Sequence, residues 1–171
     1  MSLNPRTRRA LEVLEEQGPP IRFTVAQAEA SLVLLRRVVA DIVAHFNRLL
    51  QLQEDMEQAQ QGHQREAFIE KRDAIRTTFG SLQSCRREVE QIGAILKDWG
   101  KGIVHFPCYA HGREVYLCWR YNEPHVEHWH EMGGCLYDRR PIGTLVGLGN
   151  YQSDSSEDGI DQTDPMGARS R

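Results

Sequence analysis

The sequence predicts an α+β protein, mainly α, in which a long antiparallel helical hairpin precedes a small β-hairpin segment. Two rows of apolar residues at helical spacing, a polar interruption around Gly62 between them, and a change of period from helical to two after Gly102 carry that expectation. A chain of 171 residues fits one core with appended ends. The expected parts are an N-terminal extension (1–20), the helical hairpin (21–101), a β-hairpin and polar segment of the same domain (102–149) and a disordered acidic tail (150–171).

The extension offers a short helix over 5–17, with Leu11 and Leu14 as its apolar side, closed by Gly18-Pro19-Pro20. The first long helix starts at Thr24, whose hydroxyl is placed to cap the Gln27 amide while the Gln27 side chain reaches back to the Thr24 amide. Phe23 and Ala28 stand at the positions of a weak hydrophobic staple. Ala28, Leu32, Leu35, Val39, Ile42, Phe46 and Leu49 then recur at intervals of four and three, and Gln53 and Met56 extend the row. Such a row is a narrow apolar seam of the coiled-coil kind. Arg36, Arg37, Asp41, Asn47 and Arg48 fall outside it, as a solvated face.

Gly62, within a polar stretch, marks the turn at the tip of the hairpin. The second seam runs through Phe68, Ile75, Phe79, Leu82, Val89, Ile92, Leu96 and Trp99, and Gly100-Lys101-Gly102 stops it. Two rods joined by a short turn must lie antiparallel for their seams to leave water. At about 1.5 Å per residue each would be roughly 50 to 57 Å long. Gly80 and Gly93 read as points of close helix contact, with a kink near 77–81 as the alternative. A two-helix seam covers each helix on one side only, so a homodimer through the hairpin is the expected assembly.

After Gly102, Ile103 to Tyr109 and Glu114 to Tyr121 flank Ala110-His111-Gly112-Arg113 as a β-hairpin. Val115, Leu117, Trp119 and Tyr121 share one face; Glu114, Tyr116, Cys118 and Arg120 share the other. Pro107 has no amide proton, which puts the first strand at an edge or adds a bulge. One face is expected to pack on the helices and the other to hold a polar pocket.

The densest group of ionisable residues is Glu123-Pro124-His125-Val126-Glu127-His128-Trp129-His130-Glu131. If it is extended, His128 and His130 point the same way; if helical, His125 and His128 are neighbours one turn apart. Either form can bring two imidazoles to a divalent transition metal, with Glu123 or Cys118 as a further ligand. His128, His130 and Glu123 are therefore the candidate metal set, although the spacing matches no zinc signature and HExxH is absent. Solvated or hydrogen-bonded histidines are the plainer reading. Cys118, with Arg120 stabilising its thiolate and His130 relaying a proton, is the candidate for a reactive thiol. Arg139 and Arg140 can clamp a carboxylate or phosphate, or else pair with a structural acid.

Cys85, Cys108, Cys118 and Cys135 show no CxxC spacing, so a closed structural zinc or a dithiol centre is not indicated. Net charge is −3 with both signs interspersed, which leaves no basic track for nucleic acid. No apolar run approaches the roughly 20 residues of a membrane span, and the first eighteen residues lack the apolar core of a signal peptide. A cytoplasmic protein with free thiols is expected.

The order Phe23-Thr24, Lys97-Asp98, Gly102-Ile103-Val104, Phe106-Pro107, Gly112-Arg113-Glu114-Val115, Leu117-Cys118-Trp119-Arg120, Glu123, Val126, Trp129-His130, Gly134 and Arg139 to Ile142 resembles the bacterial family known as domain of unknown function 2203. The resemblance covers about 21–142 and is most specific in its second half. It implies a small cytoplasmic protein with no established reaction, and it singles out Cys118, Arg120, Glu123, His130 and Arg139 as candidate ligand-binding positions without giving them roles. His105 stands where the family's pattern is expected to carry Asp. Two functions compete at this point: a binding or interaction module, and a metal-dependent enzyme, hydrolytic in type, with Glu131 or Glu127 as general base.

Overall fold

The computed structural model describes Pro5, residues 22–134 and residues 138–146. The expected N-terminal helix beyond Pro5, Cys135 and the tail from residue 150 lie outside the described residues. Helix α1 (Val25–Gln61) and helix α2 (Arg65–Ile92) pack together as the hairpin. Strands β1 (Ile95–Asp98), β2 (Ile103–Ala110), β3 (Arg113–Arg120), β4 (His128–Glu131) and β5 (Arg140–Pro141) follow, and helix α3 (Ile142–Val146) comes last. The five strands form one antiparallel sheet in chain order. No helix among the described residues is long and apolar enough to cross a membrane.

The start of α1 is fixed locally. Gln27 N–H donates to Thr24 Oγ1 at 3.1 Å and Thr24 N–H donates to Gln27 Oε1 at 2.9 Å, completing the capping box. Phe23, one residue earlier, packs edge-on against Phe106 with ring centroids 5.2 Å apart, and its amide donates to the Pro107 carbonyl. The helix is thereby tied to β2 before its first turn. Along α1 the seam Ala28, Leu32, Leu35, Val39, Ile42, Leu49 is fully buried, as its four-three spacing requires.

Helix α2 ends earlier than the apolar row suggests. Gly93 adopts a left-handed conformation, φ 95°, that terminates the helix, its amide and that of Ala94 turning back to Glu90 and Val89 carbonyls. Leu96 and Trp99 are buried, but on strand β1 and the turn after it. At about 1.5 Å per residue, α1 with 37 residues spans about 55 Å and α2 with 28 only about 42 Å. Gly93 thus serves as a cap, not a helix contact, and a side chain at Gly80 would meet open space. Periodicity could not separate these cases, because a short half-buried strand and one more helical turn place the same few apolar residues.

The sheet sits on the base of the hairpin, and one close approach fixes it there. Gly102, φ 61°, lies in the β1–β2 turn where a Cβ would come within 2.7 Å of both Tyr121 Cβ and Val39 Cγ1. One sheet face, Val104, Phe106, Cys108, Val115, Leu117, Trp119 and Trp129, joins the helices in a single apolar core. Alternation then sends His105, Pro107, Tyr116, Cys118, His128 and His130 to the face turned away from the hairpin.

Candidate metal centre

The β2–β3 turn sets the site. His111 and Gly112 both have positive φ, 54° and 74°, the two-residue turn whose twist suits antiparallel strands. That turn pairs Ala110 with Arg113, and counting back from it places His105 opposite Cys118. On the far side of β3, Tyr116 pairs with His130 and Cys118 with His128. His105 and His130 belong to strands on either side of β3, and their imidazoles meet over it, Nε2 to Nε2 at 3.1 Å.

His105, Cys118 and His130 are all buried, and their ligand atoms lie within 4.8 Å of one another; among the described residues this is the group of three His, Cys or acidic side chains that converges to fit one ion. The Tyr116 ring flanks it, stacked on His105 at 5.2 Å and tilted toward His130 at 5.6 Å. His130 Nδ1 is 2.8 Å from the Glu131 carbonyl, an acceptor only, so it carries the proton and leaves Nε2 with a lone pair. His105 Nε2–H then donates to that lone pair, and His105 Nδ1 is left buried with no partner among the described residues.

Electrostatics keep His105 and Cys118 neutral. Burial, followed by the positive ends of His130, Lys97 and Arg139, pushes the His105 pKa down to about 3. Burial raises the Cys118 thiol to about 11, against the opposing pull of Arg139. A thiol in that state is a poor nucleophile at neutral pH, so the reactive-thiol reading of Cys118 is not favoured. The cation that acts on Cys118 is Arg139; the Arg120 side chain is exposed.

The remaining candidates fall into a bracing cluster beside the trio. Arg139 makes a fork to Glu123, Nη1 to Oε1 at 2.9 Å and Nη2 to Oε2 at 2.8 Å, and Nη2 also reaches the Cys118 carbonyl at 3.3 Å. Glu123 Oε2 accepts from the Arg120 amide at 2.8 Å. Burial works to raise the Glu123 carboxyl, but the hydrogen bonds from Arg139 and the Arg120 amide outweigh it and hold it below its ordinary value. The Glu123 carbonyl accepts from Trp119 Nε1 and Arg36, and Arg36 also donates to the Pro124 carbonyl. Of the expected metal set, His130 is in the converging group, whereas the Glu123 carboxylate is taken by Arg139 and His128, two residues before His130 and opposite Cys118, is not among the converging three. Glu131 turns to the other face and pairs with Arg113 at 2.7 Å, and the Glu127 side chain is exposed.

With this geometry in view, comparison with known families is decisive: the family model described as an uncharacterized conserved protein, DUF2203, matches residues 22–142. The chain belongs to that family. The match begins beside the α1 cap and ends at the first residue of α3, so the hairpin, the sheet, the trio and the Glu123–Arg139 fork all fall inside the family domain. No curated protein and no solved structure matches the chain.

His105 is the residue that reading the histidine-rich stretch alone passes over. The signal was present: a two-residue turn at His111-Gly112 dictates that residues 105 and 118 face each other.

Proposed function

We propose that this DUF2203 protein is a transition-metal-binding module whose ion is held by His105, Cys118 and His130 on the sheet face away from the hairpin. The observation that carries the reading is the buried contact of two imidazole Nε2 atoms at 3.1 Å with a thiol beside them. Two nitrogens on one tetrahedral ion stand about 3.3 Å apart, and a nitrogen and a thiolate sulfur about 3.6 Å, for ordinary zinc bond lengths. The nitrogens already stand near that spacing, and bringing Sγ in from at most 4.8 Å is a small side-chain adjustment. Imidazole and thiolate together suit zinc or copper and disfavour magnesium or calcium. His130 also has the outer partner expected of a ligating histidine, the Glu131 carbonyl on Nδ1.

Three protein ligands among the described residues, rather than four, leave a coordination position open, which is the count found where zinc acts on an exogenous molecule. That count favours a second reading, metal-assisted chemistry at the same ion, for which neither Glu131 nor Glu127 is placed as a base.

Elemental analysis of the protein after loading with Zn2+ or Co2+ and exhaustive dialysis tests the proposal. One ion per chain is expected, with a sulfur-to-cobalt charge-transfer band for Co2+, both lost in Cys118→Ser and in His130→Ala and retained in Glu123→Gln. Sub-stoichiometric uptake, or uptake indifferent to Cys118→Ser, overturns it.

A further inference from the structure

Among the described residues, three buried side-chain nitrogens in or beside the trio have no hydrogen-bond partner: His105 Nδ1, His128 Nδ1 and Arg139 Nε. Orphans of this kind are rare, because a buried polar group without a partner costs about as much as a lost hydrogen bond. Their residues all adjoin Cys118. His105 and His128 sit on the same sheet face on either side of Cys118, each in direct register with it. Continuing the β4–β5 register by one residue brings Arg139 opposite His130, and its guanidinium rests against Cys118.

Charge adds a second argument. A divalent ion bound to two neutral imidazoles and one thiolate keeps an uncompensated positive charge. Glu123 is already spent on Arg139, and Lys97 contributes a further cation acting on His105. Among the described residues, the charged groups facing the centre therefore leave it short of negative charge, with the Arg139 Nε–H donor unspent.

Resting on the metal reading above, we infer that the open coordination position takes a small oxyanion, a carboxylate or a tetrahedral anion, received by Arg139 Nε–H and by the Nδ1–H of His128. Arg139 supplies a charged donor whose other two nitrogens are pinned by Glu123, so the guanidinium is oriented before the ligand arrives. His128 supplies a neutral donor once its proton sits on Nδ1. Both are positioning residues for the bound anion, and neither is a ligand to the ion.

The full-length chain loaded with Co2+ provides the test, with acetate as the carboxylate probe, sulfate as the tetrahedral probe and azide as a metal-seeking anion that does not need two donors. Acetate or sulfate is expected to shift the cobalt ligand-field bands, and the one that binds more tightly identifies the class. Its apparent Kd should rise about tenfold in His128→Gln and in Arg139→Lys, the effect of losing one such hydrogen bond, while azide affinity changes less than about twofold. His128→Gln decides the matter alone if Arg139→Lys fails to fold. Failure to take up Co2+ overturns the metal reading and this inference with it. Stoichiometric Co2+ with bands that respond to azide alone, or to no anion, overturns the inference and leaves the metal reading standing. So does acetate or sulfate binding that both variants leave unchanged.

Discussion

The imidazoles of His105 and His130, from strands that do not touch, meet Nε2 to Nε2 at 3.1 Å over the backbone of the strand between them. Holding His105 there has a consequence in acid. Its pKa falls from 6.5 to about 3 on folding, chiefly through burial, so between those values the unfolded chain binds a proton that the folded chain does not. Stability is then full above pH 6.5 and declines as pH drops toward 3. At pH 5 the loss is on the order of 2 kcal/mol in the metal-free protein. Urea midpoints at pH 7 and pH 5 measure it. His105→Gln should abolish most of the difference, and this window lies above the range in which Glu123 titrates; an equal acid loss in the variant would remove His105 as the cause.

Metal affinity should rise with pH, where a preformed anionic site would show a flat profile. With the Cys118 thiol at about 11, the ion must displace its proton throughout the neutral range. The apparent association constant for Zn2+ should therefore rise about tenfold per pH unit from pH 7 to 9, with about one proton released per ion. Chelator competition and proton release in weak buffer give the two numbers, and a flat profile would exclude Cys118 as a ligand.

Among Cys85, Cys108 and Cys118, the half-exposed Cys85 should be alkylated first in the native metal-free protein. Cys118 has no exposed surface and a strongly raised thiol, so its modification should wait for unfolding. Timed iodoacetamide labelling with peptide mass spectrometry reads the order; fast labelling of Cys118 would revive a nucleophilic role.

Gly102→Ala should cost about 2 to 4 kcal/mol, because the added methyl collides with Tyr121 and Val39 at a positive φ. Thermal or urea unfolding checks this, and a neutral result would mean that the β1–β2 turn can lift off α1.

Glu123→Gln should destabilise the fold by about 1 to 3 kcal/mol, since it leaves a largely buried Arg139 without its carboxylate. Metal stoichiometry should be unchanged. A lost ion together with intact stability would instead place Glu123 in the coordination sphere.

Much of the architecture was legible because it is written locally. The Thr24–Gln27 capping box, the α1 seam and the face alternation of β3 are all short-range patterns, and each is present. The end of α2 was not legible, since only the backbone reveals that Gly93 turns left-handed and that Leu96 continues as a strand. In the site, Cys118 and His130 stood out by residue type, whereas His105 required register. The pairing of Glu123 with Arg139 spans a loop whose path no periodicity encodes, which is why the two residues stood out singly in the sequence and not as a pair. The homodimer expected from the half-covered hairpin remains a proposal, to be settled by sedimentation.

All three positions proposed to hold the ion come from consecutive strands joined by short connections, between residues 105 and 130. A relative could therefore shorten, lengthen or redecorate its two rods without disturbing the coordinating atoms, provided the sheet's inner face stays covered. Across such relatives, divergence should collect on the distal half of the rods, and the strand segment should change in concert or not at all.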